Sequence, residues 1–224
     1  MSDDIVKKQL EVYEKQFQEH GDSPEGTYNQ NLVIQNLRFE RLIKQYDFKN
    51  NSFSIHDIGC GICDLYTYMN KKNISADYSG TDIVQSMKDL ALKKHPNLKI
   101  SIRDIINDKV EDKYDIVVLA GTFNIPGEVP REEWKKFTRD MIKNMFSMCK
   151  VGISFNFLSS HAQFYNDLMH YESPGELIDF CSKELSRFVT VDHSYPLFEQ
   201  TITIFKSDYV QDVYSDQLLK KYFN

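Results

Sequence analysis

Phe53-Ser54-Ile55-His56-Asp57-Ile58-Gly59-Cys60-Gly61-Ile62-Cys63-Asp64 reads as a short apolar strand that passes through a glycine turn into a helix. Glycine tolerates backbone angles closed to other residues and lets a ligand approach the main chain. The helix that follows presents free N–H groups at its start. A lone Gly-x-Gly is weak on its own, so the reading depends on what lies downstream. Tyr78–Asp82 is the next strand and ends in a carboxylate, Leu98–Arg103 is the third and runs into Asp104, and Tyr114–Ala120 is almost wholly apolar and leads to Gly121. A carboxylate at the end of the second strand suits the hydroxyls of a ribose. One after the third suits the exocyclic amine of an adenine, and a glycine after the fourth leaves room beside the ligand.

The alternation continues outward from this centre. Helices are expected over 63–71, 84–94 and 131–148, a fifth strand over 151–158, and a helix from the Ser173-Pro174-Gly175-Glu176 start to about 185. Two late strands fit 187–193 and 200–206. Ahead of the centre, polar amphipathic helices fit 3–19 and 28–46, with a loop at 20–27. Repeated β-α-β units predict an α/β, doubly wound, mostly parallel sheet with helices on both faces. The chain is expected to be a single domain over 1–224: an N-terminal helical lid over 1–50, a core over 51–206, and a tail helix over 207–224. In such sheets ligands bind beyond the carboxyl ends of the strands, where strand order reverses.

Composition narrows the partners. The 224 residues carry 27 Lys and Arg against 33 Asp and Glu, a formal charge of −6. The lysine pairs are scattered among acids, so no basic stripe is available to track a nucleic acid. No run of about 18 apolar residues suggests a membrane span. The N-terminus lacks an apolar signal core, so a cytoplasmic setting with reduced thiols is expected.

The ligand at the glycine turn follows from charge. A dinucleotide wants a third glycine where this chain has Asp64, and a carboxylate beside a pyrophosphate is electrostatically poor. S-adenosylmethionine has no phosphate and carries a sulfonium, an ammonium and one carboxylate, so an acidic turn suits it. From about residue 28 to 206 the chain resembles the class I S-adenosylmethionine-dependent methyltransferases, and among them small bacterial enzymes of surface-polysaccharide or natural-product pathways. The resemblance rests on Gln35-Asn36-Leu37-Arg38-Phe39, Asp57-Ile58-Gly59-Cys60-Gly61, Asp64-Leu65-Tyr66, Gly80-Thr81-Asp82-Ile83, Ala120-Gly121-Thr122-Phe123-Asn124 and Phe155-Asn156-Phe157-Leu158-Ser159. It implies a seven-stranded sheet whose last strand is antiparallel, so that the late strands form a C-terminal antiparallel hairpin. It also implies a cofactor set of Arg38, Asp57, Gly59, Gly61, Asp82, Ile83, Asp104, Ile105 and Gly121. In that set Gly59 and Gly61 lie along the methionine backbone, Asp82 on the ribose, Ile83 against the adenine, Asp104 near its amine and Arg38 on the methionine carboxylate. Many relatives have glycine where this chain has Cys63.

The acceptor chemistry is less defined. His161, just past the fifth strand, is a candidate general base, and Tyr165 and Asn124 are candidates to orient substrate. His193 and Glu199, which flank the expected final hairpin, read as structural, and His20, Tyr28 and Asn29 as residues of an N-terminal lid or of plain surface. No metal is expected: Cys60-x-x-Cys63 has no second ligand pair, and the stretch after the fourth strand has no carboxylate until Glu128. Asn124-Ile125-Pro126-Gly127 lacks the Pro-Pro-aromatic motif of nucleic-acid amino-methyltransferases. The expected acceptor is a small molecule, methylated on an oxygen of a sugar or other metabolite. An N-methyltransferase and a non-catalytic S-adenosylmethionine-binding protein are the alternatives.

Overall fold

The computed structural model describes residues 2–108 and 111–223. The strands are β1 (Ser54–Ile58), β2 (Asp77–Asp82), β3 (Lys99–Ile102), β4 (Tyr114–Leu119), β5 (Cys149–Ser159), β6 (Tyr171–Glu172), β7 (Val189–Asp192) and β8 (Glu199–Phe205). The helices are α1 (Ser2–His20), α2 (Leu32–Ile43), α3 (Asp64–Lys71), α4 (Gln85–Lys94), α5 (Arg131–Met148), α6 (Pro174–Glu184) and α7 (Ser207–Val213). The sheet order is β3-β2-β1-β4-β5-β8-β7, and β8 runs antiparallel to both of its neighbours. The doubly wound, mostly parallel sheet and its antiparallel C-terminal strands are therefore present as expected. The two-residue β6, beside the end of β5, is an addition that sequence patterning does not reveal.

β4 shows why the middle of the sheet is a continuous apolar run. Val117 and Leu119 pack into a cluster with Trp134, Met141 and Ile142 of α5. Ile116 and Val118 point the other way, into a cluster with Phe39 and Leu42 of α2 and Leu65 and Met69 of α3. A strand covered by helices on both faces has no solvent side to mark with polar residues.

Differences from the expected boundaries have local causes. α2 starts at Leu32 rather than 28 because the Asn31 side chain caps it, accepting from Val33 N and Ile34 N, each at 3.0 Å. Tyr28, inside the expected helix, sits instead in the left-handed region at φ 56°. The tail helix stops at Val213, and Asp216 starts a separate short 3-10 turn by accepting from Leu218 N at 2.8 Å. Among the described residues, no helix is long and apolar enough to cross a membrane.

One glycine in β5 has a steric role. A Cβ on Gly152 would lie 2.7 Å from the carbonyl oxygen of Ile204 on β8. Backbone cannot swing aside as a side chain can, so Gly152→Ala is expected to lose about 1–3 kcal/mol, the cost of overpacking. For a chain of this size that corresponds to a fall in Tm of roughly 2–12 °C, readable by calorimetry. An unchanged Tm would show that β8 can move away.

Candidate active site

Strand order reverses between β1 and β4, and a cavity of about 450 Å³ opens at their carboxyl ends. That volume is in the range of small-molecule sites, about 300–1,000 Å³. Its floor is the glycine turn. Gly59 (φ 65°) and Gly61 (φ 54°) both take left-handed angles, and the N–H groups of Gly59 and Cys60 donate to the Thr81 carbonyl at 2.8 and 3.0 Å. Cys63, also left-handed at φ 63°, keeps its side chain fully buried beside Leu65 and Tyr68, so packing offsets the strain that a glycine would avoid there.

Asp82 ties the turn to the end of β2. Its Oδ2 accepts from Gly61 N at 2.7 Å and its Oδ1 from Val84 N at 2.8 Å. Burial pushes its carboxyl above the usual range, against the pull of those N–H groups. Asp57, at the end of β1, is buried as well; its Oδ2 accepts from the Tyr78 hydroxyl at 2.7 Å. Burial lifts its pKa to about 7, the Tyr78 hydrogen bond opposes this, and the nearby Asp82 and Asp64 add to it. Asp64 accepts from Gln35 Nε2 at 2.9 Å, and burial raises its carboxyl too.

The cavity is covered from the N-terminal side. α1 contributes Gln9 and Tyr13, and the segment after it contributes Thr27 to Gln30. Gln9 Nε2 reaches the Pro126 carbonyl at 3.3 Å, and the Tyr13 and Tyr28 rings meet edge to face at 5.3 Å. Three polar atoms of cavity-lining side chains are buried without a hydrogen-bond partner: Gln9 Oε1, Tyr13 Oη and Asp57 Oδ1. Orphaned buried groups are costly and therefore uncommon. Three around one cavity describe a surface shaped for a polar ligand, and Asp57 Oδ1 is placed to receive a cation.

Of the residues expected from the sequence, Arg38, Asp57, Gly59, Gly61, Asp82, Ile83, Gly121, Asn124 and Tyr165 all line the cavity. Arg38 is already engaged. Its Nε donates to both Glu199 oxygens at 2.8 and 3.0 Å, its Nη2 also meets Glu199, and its Nη1 donates to Asn29 Oδ1 at 2.5 Å. One hydrogen on each Nη is left over for a ligand. Glu199 and Asn29, read as structural or surface groups, thus hold a site residue in place. Asn124 Oδ1 accepts from Leu158 N at 2.8 Å, which leaves its amide N–H groups without a partner among the described residues.

Three expected residues are not brought in. Asp104 folds back on its own turn, accepting from Ile106 N at 2.8 Å and from Asn107 Nδ2 at 2.5 Å, and it does not line the cavity. Ile105 is buried in the α5 cluster, with its carbonyl accepting from Asn144 at 2.7 Å. His161 is exposed: its N–H donates to Ser159 Oγ at 3.1 Å, Ala162 is buried beside it, and the imidazole is turned toward His193 rather than into the cavity. The expected base, His161, therefore does not line the cavity. Sequence reading missed Tyr13, Gln35 and Thr122, and also Phe164, Met169, Tyr171 and Phe198 at the other end of the cavity. Tyr13 had a signal, since its spacing marks it as buried; the four at the far end lie outside any periodic helix or core strand.

No protein-family model matches the chain. It is 29% identical over 157 residues to the "Putative methyltransferase Rv1506c" of Mycobacterium tuberculosis (strain ATCC 25618 / H37Rv), covering 69% of this chain and 94% of that protein. It is 27% identical over 200 residues to the malonyl-acyl-carrier-protein O-methyltransferase of Priestia megaterium (strain DSM 319 / IMG 1521), covering 82% of this chain and 67% of that one. Its fold is shared with magnesium protoporphyrin IX methyltransferase from Synechocystis PCC 6803, solved with bound SAH, at a TM-score of 0.62 and 14% identity over 88% of this chain and 99% of the other. Sequence likeness to named methyltransferases and a fold shared with S-adenosylmethionine-dependent methyltransferases agree, and together they support a class I S-adenosylmethionine-dependent methyltransferase.

Proposed function

We propose that the protein methylates an oxygen of a small-molecule acceptor, in a cytoplasmic setting where its four unpaired cysteines stay reduced. The observation that carries this reading is the unpartnered Asp57 Oδ1 beside a left-handed glycine turn. That pairing of a buried anion with bare backbone fits the ammonium at the amino-acid end of S-adenosylmethionine. Gly59 and Gly61 would lie along that end and Asp82 would face the ribose. Ile83 would cover the adenine, and the two free hydrogens of Arg38 would meet the carboxylate. The cofactor supplies a methyl group already activated on a sulfonium.

The chain's own residues then have three tasks. The sheet end holds the reactants close together, which converts a bimolecular encounter into a local one. α1 and the 27–30 segment exclude water. Asn124, which lines the cavity and whose amide N–H groups have no partner among the described residues, would fix the acceptor oxygen.

Calorimetry with S-adenosylhomocysteine tests the reading. Binding tighter than millimolar, about −4 kcal/mol, is expected. Asp82→Ala is expected to weaken it by about 1–3 kcal/mol, the scale of hydrogen bonds to a charged acceptor. Wild-type affinity in a folded Asp82→Ala protein would remove that carboxylate from the site.

A further inference from the structure

Beyond Gly121 the cavity changes character. Leu158, Phe164, Tyr165, Met169, Tyr171 and Phe198 line it there. The charged residues of the cavity, Arg38, Asp57, Asp64 and Asp82, all belong to the turn side or its cover, and Arg38 is neutralised by Glu199. Phe164 is 72% exposed and Phe198 43%, with their rings 5.9 Å apart and tilted by 62°. Tyr165 and Tyr171 form a second ring pair at 4.7 Å. The polar tips of that pair are partly in use: the Tyr165 hydroxyl donates to the Ser160 carbonyl, and the Tyr171 hydroxyl accepts from Asn166 N at 2.8 Å while keeping its own hydrogen. What these side chains offer a ligand is mainly ring surface. Large apolar rings left in water at a cavity mouth are the mark of a binding surface.

Among the described residues, this half also has no imidazole or carboxylate to accept a proton from an alcohol: His161 is turned out, and the carboxylates that line the cavity are on the cofactor side. An acceptor must therefore reach the site with an oxygen that ionises unaided. A phenol ionises near pH 10, as tyrosine does, whereas a water-like hydroxyl does so near about 15.7. That gap of more than five decades favours the phenol.

Resting on the methyltransferase reading above, we infer that the acceptor is a flat, apolar aromatic molecule carrying an acidic hydroxyl. It is held by the Phe164–Phe198 and Tyr165–Tyr171 pairs, with Asn124 donating to its oxygen. The hydroxyl proton leaves to water first. The oxygen's electron pair then forms the new O–CH3 bond, while the pair of the breaking S–CH3 bond remains on sulfur, giving a neutral thioether and a methyl aryl ether. A sugar hydroxyl, the acceptor suggested by sequence resemblance, has neither the ring face nor the acidity that this half selects.

The test uses the whole chain and takes binding in order. S-adenosylhomocysteine is titrated first. The loaded protein is then titrated with 2-naphthol, with its saturated counterpart 2-decalol and with methyl glucoside, and turnover of each is followed with S-adenosylmethionine. The naphthol is expected to bind about tenfold tighter than the decalol, the worth of aromatic contacts beyond area, and to be the acceptor that is methylated. Phe164→Ala with Phe198→Ala is expected to erase that preference while S-adenosylhomocysteine affinity stays at the wild-type value. Methylation of methyl glucoside or 2-decalol at the naphthol's rate, or equal binding of naphthol and decalol, overturns the inference and leaves the methyltransferase reading standing. Failure of the first titration overturns both.

Discussion

Glu199→Ala should destabilise the protein by about 3–5 kcal/mol, the cost of removing one partner of a buried ion pair. Glu199 opens β8 and is 2% exposed. It receives Arg38 through two nitrogens and also accepts from Asn156 Nδ2 at 2.7 Å. Alanine would leave a mostly buried guanidinium facing a void, with only Asn29 for company. A loss of that size lowers the Tm of a chain this long by roughly 6–20 °C. Asn156 extends the consequence to the site, because its Oδ1 accepts from Gly121 N at 2.8 Å. The cavity wall at Gly121 is thus hung on the same carboxylate. Cofactor affinity should fall along with stability in Glu199→Ala. Replacing both members, Arg38→Met with Glu199→Leu, should restore much of the stability because no orphaned charge remains. A loss below about 1 kcal/mol in denaturant titration of Glu199→Ala, the worth of an exposed pair, would show that the ion pair is solvated.

The contrast between Asp82 and Asp104 shows how far sequence carries the site. Both end or follow a strand of the expected pair, and both were expected to face the nucleoside. The position of a strand tip is fixed by sheet topology, which alternating strand and helix patterns reveal. The direction of a side chain one or two residues past the tip is fixed by the turn that follows. Asp82 meets the N–H of Gly61 across the sheet, whereas Asp104 finds Ile106 and Asn107 within its own turn. Asp and Asn side chains compete for nearby backbone in this way wherever a loop permits it. His161 illustrates the same point: its strand was read correctly, but β5 runs on to Ser159 and the chain then turns on the Ser159 hydroxyl. Beyond Tyr165 the aromatic half of the cavity had little signal, since Phe164, Met169 and Phe198 occupy connections with no periodic pattern to betray a buried or binding face. The glycine turn, by contrast, was legible because its φ angles restrict which residues fit.

Asp57→Asn is expected to weaken S-adenosylhomocysteine binding at pH 8 by about 2–3 kcal/mol, roughly 30- to 150-fold, the scale of a buried hydrogen bond to a charged group. The same substitution should stabilise the ligand-free protein at that pH. In the free chain, burial holds the Asp57 pKa at about 7, above the roughly 3.9 of an unfolded aspartate. A raised carboxyl pKa means that the folded state keeps its proton longer than the unfolded state does. The contribution of this group is therefore fully present below about pH 4 and is lost as pH rises through 7. At pH 8 the folded chain holds an ionised carboxylate with one oxygen unpartnered, and asparagine removes that charge while still accepting from Tyr78. Binding has the opposite sign. The ligand's ammonium needs the ionised form, so wild-type affinity should fall as pH drops below 7, approaching tenfold per pH unit, with a proton released on binding. In Asp57→Asn both the proton release and the slope should vanish. Calorimetry in buffers of different ionisation enthalpy reads the proton directly, and thermal unfolding at pH 5 and 8 reads the stability. A wild-type affinity that is flat from pH 8 to 5 would mean that Asp57 does not take up the charge of the ligand. Tight binding and free-state stability would then be set by different groups, whereas the unpartnered oxygen makes them opposing demands on one carboxylate.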